Sequence, residues 1–116
     1  MADSHKRHKS PRVKARWPIT IIANDRIIAG ESRNITANGI FTHCKEELQE
    51  NETYRLIIGL PKRRYLAVKG KLIWSNLNGI DRNGIFSSMG FSFVKVSEED
   101  RHLLNHAVSG DLALSV

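Results

Sequence analysis

The sequence predicts a mainly β fold: a six-stranded antiparallel β-barrel with an α-helix at its C-terminal end. Short β-branched or alternating apolar runs recur between Asn, Asp, Gly and Pro residues from position 19 to position 96. The one segment with helical spacing comes last. A chain of 116 residues, 41% hydrophobic and 26% charged, is long enough for one core that folds without metal or disulfide.

In chain order, Ile19-Thr20-Ile21-Ile22 is a β-branched run, Asn24-Asp25 signals a turn, and Arg26-Ile27-Ile28-Ala29 resumes the strand pattern. This reads as a hairpin whose second strand continues to Arg33. Asn34-Ile35-Thr36-Ala37-Asn38-Gly39 is a polar turn, followed by a short third strand over 39–42. Residues 45–53 read as a polar, acidic loop and 54–60 as a fourth strand, ended by Pro61 and the basic turn Lys62-Arg63-Arg64. Residues 65–74 alternate most cleanly. Leu66, Val68, Gly70, Leu72 and Trp74 share one face, with Lys69 and Lys71 on the other. Three Asn and two Gly in 76–84 predict a loop, and 89–96 a sixth strand with Phe91 and Phe93 on one face. Ser97 is the expected N-cap of a helix over 97–109. Glu98, Glu99 and Asp100 suit its positive end, Leu103, Leu104, Ala107 and Val108 form its apolar stripe, and Gly110 stops it.

The charge is unevenly spread. Residues 1–16 hold six basic side chains against Asp3, whereas the rest of the chain holds 12 basic against 11 acidic. The net +6 is therefore concentrated in an N-terminal arm suited to phosphate. The expected division is a flexible arm over 1–11, a domain over 12–110 (barrel 17–96, helix 97–109) and a tail over 111–116. Cys44 is the lone cysteine, no apolar run approaches the roughly 20 residues of a membrane span, and the N-terminus has no apolar signal region. Cytoplasmic localisation is the expectation.

Two short motifs carry chemistry. Arg12-Val13-Lys14-Ala15-Arg16 is an R-x-x-x-R, and eighteen residues after Arg16 comes Asn34-x-Thr36-x-x-Gly39. Each alone is weak. Together, one entering the barrel and the other at a strand-to-strand turn, they resemble the PilZ family, whose pattern is R-x-x-x-R followed by [D/N]-x-S-x-x-G. The segments 70–74 and 89–93, followed by a capped helix, are similar to the second half of a PilZ barrel. The departure is Thr36 in place of Ser, which keeps the hydroxyl and adds a methyl group.

The resemblance implies a stand-alone receptor for cyclic di-GMP with Arg12, Arg16, Asn34, Thr36 and Gly39 as ligand-binding residues. Lys14, Asn38 and Trp74 are secondary candidates. The residue types suit two phosphates and two guanines. A guanidinium can pair bidentately with guanine O6 and N7, stack on a base or clamp phosphate. Asn34 offers an amide to a guanine edge, Thr36 a hydroxyl, and Gly39 a backbone without an obstructing Cβ. Trp74 could stack on a base. The implied output is an ordered arm recognised by an unidentified effector protein.

Other residues point nowhere so definite. His102 and His106 are four apart on the helix without a third ligand, so no metal is expected. No P-loop, nucleophile elbow or paired-carboxylate motif is present, so an enzyme is not expected. One alternative is a small basic β-barrel that binds nucleic acid, favoured by the arm, Lys62-Arg63-Arg64 and Lys69/Lys71. Only 7% of residues are aromatic, and no stretch interleaves several with basic residues as a stacking platform requires. The other is a PilZ-like adaptor without ligand, for which Thr36 speaks. The exposed side of the helix could serve a homodimer.

Overall fold

The computed structural model describes residues 12–13, 16–81 and 84–109, with the backbone alone for 12–13, 77–81 and 84–86. The basic arm over 1–11, Lys14, the Gly110 stop and the tail over 111–116 lie outside these residues.

Among the described residues, seven strands and one α-helix follow in order: β1 (Arg12–Val13), β2 (Pro18–Ile22), β3 (Ile27–Thr36), β4 (Gly39–Cys44), β5 (Thr53–Leu60), β6 (Arg64–Asp81), β7 (Gly84–Lys95) and α1 (Glu98–Ser109). Six of them close an antiparallel barrel in the order β3-β2-β5-β6-β7-β4, with β4 returning to β3. β1 is the extra strand. It lies end to end with β2 on the same edge of β3, with Arg12 opposite Thr36 and Val13 opposite Ile35. The Ser32 N–H donates to the Trp17 carbonyl at 2.8 Å and the Trp17 N–H donates to Ser32 Oγ at 3.0 Å, which bridges the gap.

Inward positions alternate along each strand, as a closed barrel demands. Ile19, Ile21, Ile35, Leu56, Ile58, Leu66, Leu72 and Met89 are fully buried, and Phe91 is nearly so. The amphipathic stripe of α1 adds Leu104, Ala107 and Val108 to this core. α1 lies against β1, β3 and β6. Since β3 and β6 stand on opposite sides of the barrel, the helix crosses one end of it. Its first turn is capped as its sequence predicts: the Asp100 N–H donates to Ser97 Oγ at 3.1 Å.

Two expectations need correction. The described residues of the expected loop, 76–81 and 84, are strand. β6 runs to Asp81 and β7 starts at Gly84, and the two strands pair through Asn76–Ser88 and Leu77–Ser87 to Asp81–Gly84. Asn and Gly weaken local strand preference, but a backbone ladder to a neighbouring strand is indifferent to side-chain type. The second correction concerns Trp74. The register of β6 against β7 slips between Leu72 and Trp74, leaving Ile73 as a bulge. One extra residue reverses the alternation, so Leu72 is buried while Trp74 turns outward, 38% exposed. The loop before β5 fastens this stretch: Asn51 and Glu52 bond to the Leu72 backbone, and the Glu50 carboxylate accepts from the Ser75 N–H at 2.8 Å.

Candidate functional site

The two motifs, eighteen residues apart in sequence, run side by side. The pairing of Arg12 with Thr36 brings the start of R-x-x-x-R against the middle of N-x-T-x-x-G, and the bonds between Trp17 and Ser32 hold the other end. Arg16 is exposed between these fastenings, and its charge is felt at His43 on β4.

On β3 a second bulge matters. Ser32 pairs with Thr42 and Asn34 with Phe41, so Arg33 is the extra residue. Ser32 and Ile35 both point into the barrel, which leaves the consecutive residues Arg33 and Asn34 on its outer side, half-buried. The Asn34 carboxamide oxygen is buried, with no hydrogen-bond partner among the described residues. An unpaired buried acceptor costs roughly 1–3 kcal/mol, so a donor arriving there would relieve it.

The turn that follows is self-supporting. The Asn38 N–H donates to Thr36 Oγ1 at 3.1 Å, and the Asn38 carbonyl accepts from the Phe93 N–H at 2.9 Å. A hydroxyl that accepts one bond still has its own proton to donate. Gly39 is required by close approach: a Cβ there would stand 2.3 Å from the Phe91 carbonyl oxygen. The glycine therefore lets β4 close against β7, whatever else approaches the turn.

Beside these residues lies an aromatic and cationic strip. Phe41 and Trp74 meet with ring centroids 5.3 Å apart, and Phe41 and His43 meet edge-on at 5.6 Å. Phe41 and Trp74 come from strands that flank β7, both opposite Gly90. They meet because Gly90 has no side chain; a Cβ would lie 2.2 Å from the indole nitrogen. Arg33 Nε donates to His43 Nδ1 at 3.1 Å, which makes Nδ1 the acceptor of a neutral ring. Burial, followed by the Arg33 charge, lowers the His43 pKa below 6.5; Glu31 opposes the shift and Arg16 adds to it.

Of the eight residues that the sequence singles out, the structure gathers the backbone of Arg12 with Arg16, Asn34, Thr36, Asn38 and Gly39 around one end of β3 and the turn after it. Trp74 joins the outer strip, and Lys14 is outside the described residues. Arg33, Phe41 and His43 were not singled out. Positions 41 and 43 alternate with the buried Ile40, Thr42 and Cys44, which is a legible signal for an outward pair. The bulge that turns Arg33 and Asn34 together has no sequence signal. Among the described residues no cluster of three or more His, Cys, Asp or Glu could hold a metal ion. No helix among them is long and apolar enough to cross a membrane.

The PilZ domain family model matches residues 6–110. No curated protein matches the chain by sequence. Solved structures that resemble it include the inhibitor of motility MotI/DgrA of Bacillus subtilis, with 22% identity and a TM-score of 0.72 over 98% of this chain and 57% of that one. The PilZ domain of YcgR from Escherichia coli with c-di-GMP gives 15% identity and a TM-score of 0.72 over 96% of this chain and 100% of that one. MrkH of K. pneumonia in its apo state gives 12% and 0.74 over 98% and 54%. The chain thus spans just over half the length of MotI/DgrA and of MrkH. At these identities the likeness is one of fold.

Proposed function

The chain belongs to the PilZ domain family, and from that premise we propose that it is a receptor for cyclic di-GMP whose ligand is gripped by Arg12 and Arg16 on one side and by Asn34, Thr36 and Gly39 on the other. The observation that carries this reading is the pairing of β1 with β3, which sets Arg12 opposite Thr36 and so makes one locus of two distant motifs. Three further features support it. Arg16 and Arg33 supply positive charge suited to phosphate. The unpaired Asn34 oxygen suits a guanine N–H donor. The exposed indole of Trp74, backed by Phe41, offers a stacking surface at the edge of the same face.

The chemistry is binding, without a covalent step. The arginines contribute charge and bidentate donors, the turn contributes a carboxamide and a hydroxyl, and the indole contributes a flat apolar face. A c-di-GMP-bound PilZ domain among the similar structures agrees with this ligand class. Output through the N-terminal arm to an effector protein completes the proposal.

Isothermal titration with cyclic di-GMP tests the reading. Wild type is expected to bind at micromolar concentration or tighter. Each bidentate pair contributes roughly 1–3 kcal/mol, so an Arg12→Ala, Arg16→Ala double variant is expected to lose at least about tenfold in affinity. An absence of heat with wild type, or equal affinity in the variant, would overturn it.

A further inference from the structure

We infer that the outer wall formed by β5, β6 and the end of β7 is a docking surface for an acidic amphipathic helix of a partner protein. Three cations stand in a row across three adjacent strands: Arg55 is directly opposite Lys69, and Lys69 directly opposite Lys95. All three are exposed, and none forms an ion pair with an acidic side chain among the described residues. Like charges directly opposite on neighbouring strands repel and destabilise a sheet. A row of three is therefore unfavourable by itself, and an acidic partner would offset the repulsion.

The row is not a merely solvated stripe, because it borders a cleft of about 610 Å³ that also contains Ile57 and Ala67. Asp100, at the start of α1, is the one acidic residue in the lining. A third slip of register, between Lys69 and Gly70, makes Val94 the extra residue on β7, and its side chain is 50% exposed beside Lys95. Charge and apolar surface are thus interleaved, which suits a protein side better than a nucleic-acid backbone.

Spacing selects the shape of the occupant. Adjacent strands stand about 4.8 Å apart, so the row repeats at that interval. Acids one turn apart on an α-helix repeat about every 5.4 Å, whereas alternate residues of an extended chain repeat about every 6.7 Å. A helix lying across the strands with acids at i, i+4 and i+7 matches all three cations, with its neighbouring apolar residues over Ile57 and Ala67. The centre of the row, Lys69, is on β6, across the barrel from β3 and the turn that follows it, so a partner could occupy the row while Arg12, Arg16, Asn34, Thr36 and Gly39 remain open. The inference does not depend on the identity of the ligand at that face.

The test uses the full chain, labelled with ¹⁵N, at 150 mM salt. The probe is a 21-residue helical peptide carrying Glu at i, i+4 and i+7 beside Leu. A scrambled peptide of the same composition and a ten-nucleotide oligothymidine are the comparators. The helical peptide is expected to shift the amides of Arg55, Lys69 and Lys95 saturably. K69Q/K95Q, and independently R55Q, are expected to weaken it at least tenfold while retaining the wild-type spectrum elsewhere. The inference is overturned if those amides do not move, if both variants bind as wild type does, or if the scrambled peptide or oligothymidine moves them at equal or lower concentration. A parallel titration with cyclic di-GMP separates this result from the ligand reading, since K69Q/K95Q is expected to leave that affinity unchanged.

Discussion

His43 sits where charge, burial and the aromatic strip meet, and its ring is pinned as a neutral acceptor by Arg33. Burial first, then Arg33, lowers its pKa in the folded protein below 6.5, the value for an unperturbed histidine. Below pH 6.5 the unfolded chain then binds the proton that the folded one refuses, so the unfolded state gains. The contribution to stability is fully present above pH 6.5 and is lost as pH falls through the lowered folded pKa. Thermal melts of wild type are expected to drop across that window, and a His43→Gln variant, which keeps a side-chain acceptor without a proton to gain, is expected to show a flatter profile. Identical profiles would mean that the ring is not held neutral. At this scale the sequence disclosed the arginines and the Asn-Thr-Gly turn through their spacing. It did not disclose Arg33 or His43, because an arginine and a histidine ten residues apart become neighbours only through the register of β3 with β4.

The β5–β6 hairpin turns through Pro61–Arg63, where Lys62 and Arg63 both hold left-handed backbone, with φ of 63° and 60°. A residue with a Cβ incurs roughly 1–2 kcal/mol in that conformation, and Asn and Gly are the residues that visit it readily. Lys62→Asn with Arg63→Gly is expected to raise the urea midpoint by the equivalent of about 1–2 kcal/mol without changing the slope. An unchanged or lower midpoint would show that the two basic residues are not strained there. The sequence marked this turn correctly through Pro61 and the basic triplet, but composition could not reveal its hand. The long β6–β7 hairpin was hidden for a related reason. Its distal half is rich in Asn and Gly, and what holds it extended is the opposing strand.

Across the whole molecule, α1 and β1 share one end of the barrel. The helix lies against β1, β3 and β6, and β1 in turn lies against the candidate binding turn. A ligand that grips Arg12 and Arg16 would therefore act on the strand between the barrel and its helix, and on the basic arm attached to that strand. Backbone ¹⁵N relaxation of residues 1–11 is expected to report reduced mobility on saturation with cyclic di-GMP. Equal relaxation with and without the nucleotide would remove the arm from the signalling mechanism.

By itself the sequence determined the fold class, the order of the elements and the two motifs. These depend on alternation, turn residues and caps, all of which are local: Leu66, Val68 and Leu72 are buried and Ser97 caps α1 because neighbouring residues already specify them. Only the tertiary structure decided how the pieces meet. The bulges at Arg33 and Ile73 put Asn34 and Trp74 on the outer face, Gly90 let two aromatic rings touch, and register alone aligned Arg55, Lys69 and Lys95. The physical reason is that the facing direction of a strand residue depends on a count of one in its pairing. That count is fixed by hydrogen bonds to strands distant in sequence.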